Sequence, residues 1–547
     1  METITVAEAI GRALSVAGAA RAFGVVGSGN FHMTNALINA GVPFVQTRHE
    51  LGGALAADAY ARLSGRVALV SVHQGGGFLN AMTGVLEAVK AHTSIVVVAG
   101  AVARGDVVSN FHLDQARAFE AVGGLALRVE AARQAIPYAA MAVHQALILR
   151  RPVLLDVPVD VQEQRVEWDP ASIPEVPKLL RAGASPSAVA AAVDAIVDAR
   201  RVLVVVGRGA RHAKTELQEL ARLSGALLVP SGAARGLFEG HEWGLDVMGG
   251  FATDGAAELM READLLLVFG AALTKWTARG GFLTEGKRII QVDDLAEAFG
   301  RHRPVELGIL GDSAPAAAAI AAGLRERLPE PREGWRTAEV RSRLQQVRYW
   351  SDQPIVDRST AEHVDPGVLS QHLDRLLPRE RVVVVDGGNV NSYAGSFFRV
   401  PDENGYVLDI ASQSIGSGLG EGLGAAIARP DRLTVVATGD GSLLMNAVEL
   451  ETAARLGLGM LILVYNDSAY GAEVHIFHDD QQKETVVFPD TDIAAIARGY
   501  GCEAIAVRTL GDLAPLQVWL DGPRTTPFLI DAKIEGFASP LMIQDMH

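Results

Sequence analysis

TGDGS, residues 438–442, follows directly on the apolar run LTVVA (433–437) and leads into a helix-like stretch, SLLMNAVELETAARLG. A short buried strand, a glycine-rich turn and a helix in succession form one unit of a parallel sheet covered by helices. The turn lies at the carboxyl end of its strand, where ligands of open parallel sheets collect. Asp440 has no charged partner in the residues that follow, and Gly439 and Gly441 on either side let the backbone approach a ligand. Ser442 opens the helix, whose free N–H groups suit a phosphate. A carboxylate beside a phosphate repels it unless a cation lies between them, and magnesium takes oxygen ligands from both.

A second ligand should come from the end of the next strand. MLILVYNDSAYG (460–471) supplies Asp467, 27 residues after Asp440 and one strand-helix-strand unit further on, with the backbone carbonyl of Ala469 in the same turn. Each aspartate taken alone reads equally as a turn residue after a strand. The joint spacing favours the cation site.

The same alternation of β-rich apolar runs and Ala/Leu/Glu-rich stretches extends through most of the 547 residues. FGVVG, PFVQT, VALVSV, SIVVVAG and PVLLDVP occur in the first third. RVLVVVG (201–207), ADLLLVFG (263–270) and RIIQVD (288–293) occupy the middle, and RVVVVDGG (381–388), MLILVYND and PFLIDAKI (527–534) join LTVVATGDG in the last block. The pattern lapses at EWDPASIPEVPKLLRAGASPS (167–187) and again at LPEPREGWRTAEV (328–340). Three α/β domains with parallel, helix-covered sheets are therefore expected, at 1–166, 186–328 and 365–547.

A net charge of −15 argues against a surface that tracks nucleic acid or anionic lipid. A single cysteine, Cys502, excludes an intrachain disulfide and a cysteine metal cluster, which fits a reducing cytoplasm. No run of 18 uncharged apolar residues and no basic leader is present, so neither a membrane span nor a signal peptide is expected.

GDGS followed by YND at this spacing resembles the thiamine diphosphate signature of the acetolactate synthase, pyruvate decarboxylase and benzoylformate decarboxylase superfamily. Asp467 stands where that signature usually ends in asparagine. The resemblance covers nearly the whole chain and implies a pyrimidine-binding domain, a central domain and a diphosphate-binding domain, in that order. It also implies thiamine diphosphate and Mg²⁺ as cofactors, and a homodimer or homotetramer with the site between subunits. Asp440, Asp467 and the Ala469 carbonyl would hold the metal. Gly439, Gly441, Ser442, Tyr470 and Gly471 would lie at the diphosphate, with Gly388 and Asn389 of DGGNV nearby.

In this family a glutamate at a strand-to-helix junction hydrogen-bonds the pyrimidine ring and activates the cofactor. FVQTRHELGGALAADAYARLSG matches, with Glu50 at that position, although Gly52, Gly53 and Ala59 are less usual there. Glu50 also reads as a solvated first-turn residue, or as the ribose ligand of a dinucleotide loop at FGVVGSGN (23–30), where His32 replaces the third glycine. GSGLGEGLGAAI (416–427) is similar to the turn that wedges an apolar side chain under the bent cofactor, which assigns Leu419 that role; its alternative is a plain core leucine.

Ser28 of GSGN and His73 of VHQGGGFLN are similar in position to the serine and histidine with which benzoylformate decarboxylases hold a substrate carboxylate and move protons. GGGFLN resembles the benzaldehyde lyase form of GPGxxN. Glu473 matches an active-site glutamate of pyruvate decarboxylases, and His112 and Gln115 of NFHLDQARAF match a substrate-contacting loop. The resemblance implies decarboxylation of a 2-oxo acid, with release of an aldehyde or ligation to a hydroxyketone. Flavin (FAD) in the central domain is less favoured, because GAALTKWTARG (270–280) lacks the acidic-and-arginine pattern of flavin-binding synthases. A non-catalytic, cofactor-binding regulatory paralogue and a flavin-linked oxidase are the alternative functions.

Overall fold

The structure, a computed structural model, describes residues 2–175, 180–408, 411–476 and 482–539; residues 176–179 of the expected first break lie outside them. Three parallel sheets succeed one another along the chain, as the alternation predicts. In the first, the spatial order is Phe44–Gln46, Arg21–Gly24, Ala68–Val72, Ile95–Ala101, Val153–Pro158, Leu125–Arg128. The second runs Leu227–Pro230, Val202–Val206, Leu265–Phe269, Arg288–Asp293, Leu307–Leu310. In the third, the order is Tyr406–Leu408, Arg381–Val385, Leu433–Gly439, Leu461–Asn466, Phe528–Lys533, Glu503–Val507.

The first and third sheets thus share one topology. In each, the chain's first strand lies between its second and third, so connections leave in opposite directions from the gap between first and third strands. Loops diverge there and open a crevice at the strands' carboxyl ends. The inner strands are buried along their whole length, which is why VALVSV, SIVVVAG and LTVVA read as unbroken apolar runs. FGVVG departs from expectation. Its strand stops at Gly24, whose φ of +138° turns the chain out of the sheet, and the remaining residues form the loop that carries Ser28.

Helix Glu50–Ser64 and helix Gly418–Ala428 pack on each other between the first and third sheets, and one apolar cluster runs from Phe23, Tyr60 and Val70 to Leu423, Val436 and Ile462. The helices approach to backbone contact. A methyl group on Gly424 would fall 2.1 Å from the Ala56 carbonyl oxygen. The unusual Gly52 and Gly53 have the same explanation, because side chains there would strike Glu449 and the backbone of Gly24. Among the described residues no helix is long and apolar enough to cross a membrane.

Gly424→Ala should therefore push the two helices apart, at about 1–3 kcal/mol of stability. A clear fall in the thermal midpoint is expected, and an unchanged midpoint would show that the seam can open without strain.

Candidate active site

The loops after the first four strands of the third sheet surround a cleft that, together with the space open to solvent at its mouth, holds about 340 Å³. Gly387, Gly388, Asp440, Ser442, Asp467 and Tyr470 lie on its wall, as do Gly439, Gly441, Ala469, Gly471 and Glu473. Asp440 is the first residue of helix Asp440–Asn446, capped by Gly439 in an extended conformation, so its carboxyl stands where the strand ends and the helix N–H groups begin. Asp467 follows strand Leu461–Asn466, the immediate neighbour of the Asp440 strand. Ser468, at φ +56°, then takes the chain out of the strand through a left-handed backbone conformation.

Asp440 is buried and Asp467 half-buried, and two acids in contact this far from water are costly unless something compensates them. Burial pushes Asp440 up to about 6 and Asp467 up to about 7, the latter raised further by the charge of Asp440. Oδ1 of Asp440 is buried with no hydrogen-bond partner. Gly471 leaves room for the second carboxylate: a methyl group there would lie 2.5 Å from Asp467 Oδ2. An orphaned carboxylate oxygen beside a second acid, against a glycine-lined cleft, suits a hard divalent cation bridging to an anionic ligand. These residues fit magnesium and a diphosphate.

The first sheet builds a second cluster by the same loop geometry. Glu50 opens helix Glu50–Ser64, is only 9% exposed, and accepts a hydrogen bond at Oε2 from Asn80 Nδ2 (3.0 Å). Backbone N–H groups of Arg48 and His49 donate to the buried Oε1 of Glu449 (3.0 and 2.9 Å), so the third domain fixes the turn that presents Glu50. Gly77 separates Glu50 from His73: a methyl group on it would sit 2.9 Å from Glu50 Oε1 and 3.3 Å from His73 Cβ. His73 Nδ1 lies 2.9 Å from the Gln74 carbonyl oxygen. That oxygen can only accept, so the proton is on Nδ1 and Nε2 accepts from Ser28 Oγ at 3.3 Å. The ring of Phe111 stands edge-on to the imidazole at 4.8 Å.

Other expected site residues are placed differently. Gln115 is buried behind the His73 loop, with its amide accepting from Gly75 N–H (2.9 Å) and donating to the Gly100 carbonyl (2.9 Å) and Asp156 (2.7 Å). It braces the loop and has no donor left for a substrate. Asn389 reaches the cleft wall, but its amide ties down a segment from far along the chain, donating to the Phe537 carbonyl and accepting from Ser539 N–H (both 2.9 Å). Leu419 lies in the shared apolar core, and Ile415, four residues earlier, lines the cleft instead. His112 is exposed on a surface turn. Asn80 carried a signal, as the last residue of the GGGFLN motif; Glu449 and Ile415 carried none that short-range pattern could expose.

Three family models match in order: the N-terminal TPP binding domain of thiamine pyrophosphate enzymes over residues 4–120, their central domain over 189–320, and their C-terminal TPP binding domain over 386–531. Acetolactate synthase 2, chloroplastic, of Nicotiana tabacum is 25% identical over 519 residues, covering 89% of this chain and 75% of that protein. Sulfoacetaldehyde acetyltransferase of Castellaniella defragrans is 25% identical over 544 residues, covering 94% and 90%. The solved structure of the Rhodococcus jostii RHA1 thiamine diphosphate-dependent 4-hydroxybenzoylformate decarboxylase superposes with a TM-score of 0.82 at 22% identity, over 98% of this chain and 100% of that one, a likeness of fold.

Replacing Gln115 with leucine should leave Gly75 N–H, the Gly100 carbonyl and Asp156 without this partner and lower stability by about 3 kcal/mol, measured by denaturant unfolding. Unchanged stability with weakened ligand binding would instead put the amide against a ligand.

Proposed function

The chain belongs to the thiamine pyrophosphate enzyme family, and from that premise we propose that it uses thiamine diphosphate and Mg²⁺ to cleave the bond next to the carbonyl of a 2-oxo acid, releasing carbon dioxide and an aldehyde. The observation that carries this reading is the pair of adjoining acids, buried Asp440 with its partnerless oxygen and half-buried Asp467 beside it, at the mouth of a glycine-walled cleft. Asp440, Asp467 and the Ala469 carbonyl would hold the cation; Gly439, Gly441 and Ser442 would face the diphosphate.

Thiamine diphosphate, when bound, supplies a carbon nucleophile for the carbonyl and a sink for the electron pair left by carbon dioxide. The chain's own groups do the rest. Glu50, steadied at Oε2 by Asn80, would hydrogen-bond the cofactor's ring and could pass a proton at its other oxygen, Oε1. His73 is held in one tautomer by the Gln74 carbonyl. With Ser28 it can accept or return a proton at Nε2 and hydrogen-bond the substrate's carboxylate. Glu473 faces the cleft from the opposite domain and can hold a second proton.

All cleft-lining residues fall between 387 and 473, whereas Glu50, Ser28 and His73 belong to the first sheet. A homodimer in which each chain's first domain completes the other's cleft fits this division. Exposed apolar side chains border both halves, Leu79 and Phe111 on one and Leu444, Met445 and Val448 on the other, and a second copy would cover them. A second reading, transfer of the two-carbon or larger fragment to an acceptor, is favoured by the names of the acetolactate synthase and acetyltransferase relatives.

The test is incubation with thiamine diphosphate, Mg²⁺ and a panel of 2-oxo acids, with carbon dioxide detection and mass spectrometry of products. Aldehyde release is expected, hydroxyketone would favour the second reading, and no turnover would overturn both. Glu50→Gln should lower kcat by about 100-fold or more with an unchanged circular dichroism spectrum. Asp440→Asn should abolish Mg²⁺-dependent retention of the cofactor on gel filtration.

A further inference from the structure

The cleft wall includes one residue, Ile415, from a loop that the third sheet does not hold by itself. Residues 411–417, downstream of edge strand Tyr406–Leu408, lead into helix Gly418–Ala428, and Gln413 within them has φ +62°. Such a span needs anchors if Ile415 is to keep its place.

Both anchors are buried carboxylates. At the far end Asp386, which is 1% exposed, accepts from the N–H groups of Gly387 (2.7 Å), Ser417 and Gly418 and from the Thr438 hydroxyl (2.9 Å). At the near end the carboxylate comes from the other side of the molecule. Glu87, on helix Met82–Lys90 of the first domain and 1% exposed, accepts from Ala411 N–H (3.1 Å) and Ser412 N–H (2.6 Å). Arg62 bridges the two domains. It donates to Glu87 Oε1 at 3.0 Å and to the Leu408 carbonyl at 3.2 Å, and pairs with the buried Asp58 one turn earlier on its own helix. Burial works to raise the Glu87 carboxyl, but the Arg62 charge and the hydrogen bonds from Ser412 and Arg62 outweigh it and hold it below the usual range. The group is therefore a charged acceptor, and hydrogen bonds to a charged acceptor are about twice as strong as neutral ones.

We infer that Glu87 and Arg62 are positioning residues for the cofactor cleft: from the first domain they fix the loop that carries Ile415 into the third domain's site. The inference rests on the cofactor reading for what the cleft binds, but the clamp itself does not. Arg62 and Glu50 occupy the same helix, so one element positions a buried acid at its start and shapes its own chain's cleft near its end.

The test compares Glu87→Gln with Glu239→Gln. Glu239 is also a buried interdomain acid, bound by Arg379, Arg399 and Tyr349, but Arg379 precedes strand Arg381–Val385, so this contact lies at the opposite end of the sheet from the cleft. Two quantities are read: amide hydrogen exchange of the peptide spanning 411–418 in the cofactor-free protein, and the thiamine diphosphate dissociation constant at saturating Mg²⁺. Glu87→Gln should speed exchange in that peptide and raise the dissociation constant about tenfold, while Glu239→Gln lowers the thermal midpoint and changes neither. Equal effects from both variants, or unchanged exchange in Glu87→Gln, would overturn the inference. If Glu87→Gln does not accumulate folded, Arg62→Lys carries the same expectation, since lysine cannot reach both acceptors with one fork. Failure of the wild type to bind thiamine diphosphate would overturn the functional reading, and the exchange comparison would still decide the clamp.

Discussion

The contact between helix Glu50–Ser64 and helix Gly418–Ala428 organises the rest of the molecule. Steric exclusion sets it: at Gly424 no atom beyond hydrogen fits between the backbones. Because the helices touch this closely, the first and third sheets share one apolar core and cannot shift independently. Each helix also begins at a site. One starts with Glu50, and the other continues the loop that brings Ile415 to the cleft wall. Packing at the centre thus sets the geometry of acidic and apolar groups at both ends.

A second constraint is electrostatic. The fold places Asp440 and Asp467 just beyond the carboxyl ends of two adjacent strands, and among the described residues no arginine or lysine forms an ion pair with either. Several other buried acids are matched by arginine, Asp58 and Glu87 by Arg62, Asp246 by Arg235 and Asp374 by Arg381, while Asp386 and Glu449 are compensated by backbone N–H groups and threonine hydroxyls. Asp440 keeps a buried oxygen with neither kind of partner, which is what a site awaiting a cation requires.

The three sheets were legible because doubly buried strands leave uninterrupted apolar runs, and the acids at 440 and 467 because strand-end positions recur one unit apart. Glu50 was legible for a related reason, lying where a strand gives way to a helix. What the sequence did not disclose depends on contacts between distant segments. Asn389 looked available until the chain near residue 537 folded back onto it, and Gln115 looked like a ligand contact until its partners at 75, 100 and 156 were seen. Leu419 and Ile415 are both apolar and four residues apart, and only the anchoring of their loop by Glu87 and Asp386 decides which faces the cleft. FGVVG misled because strand propensity says nothing of a glycine that turns the chain away.

The first and third sheets repeat one strand order without a detectable sequence repeat. The chain is in effect one six-stranded lobe used twice, with a five-stranded lobe of the same initial strand order between the copies. On the dimeric reading, a two-fold axis sets unlike lobes of different chains face to face, so the composite seams come in symmetric pairs. Loading stoichiometry then follows from counting lobes, and an assembly with one seam filled is a distinct, asymmetric species rather than an average of empty and full.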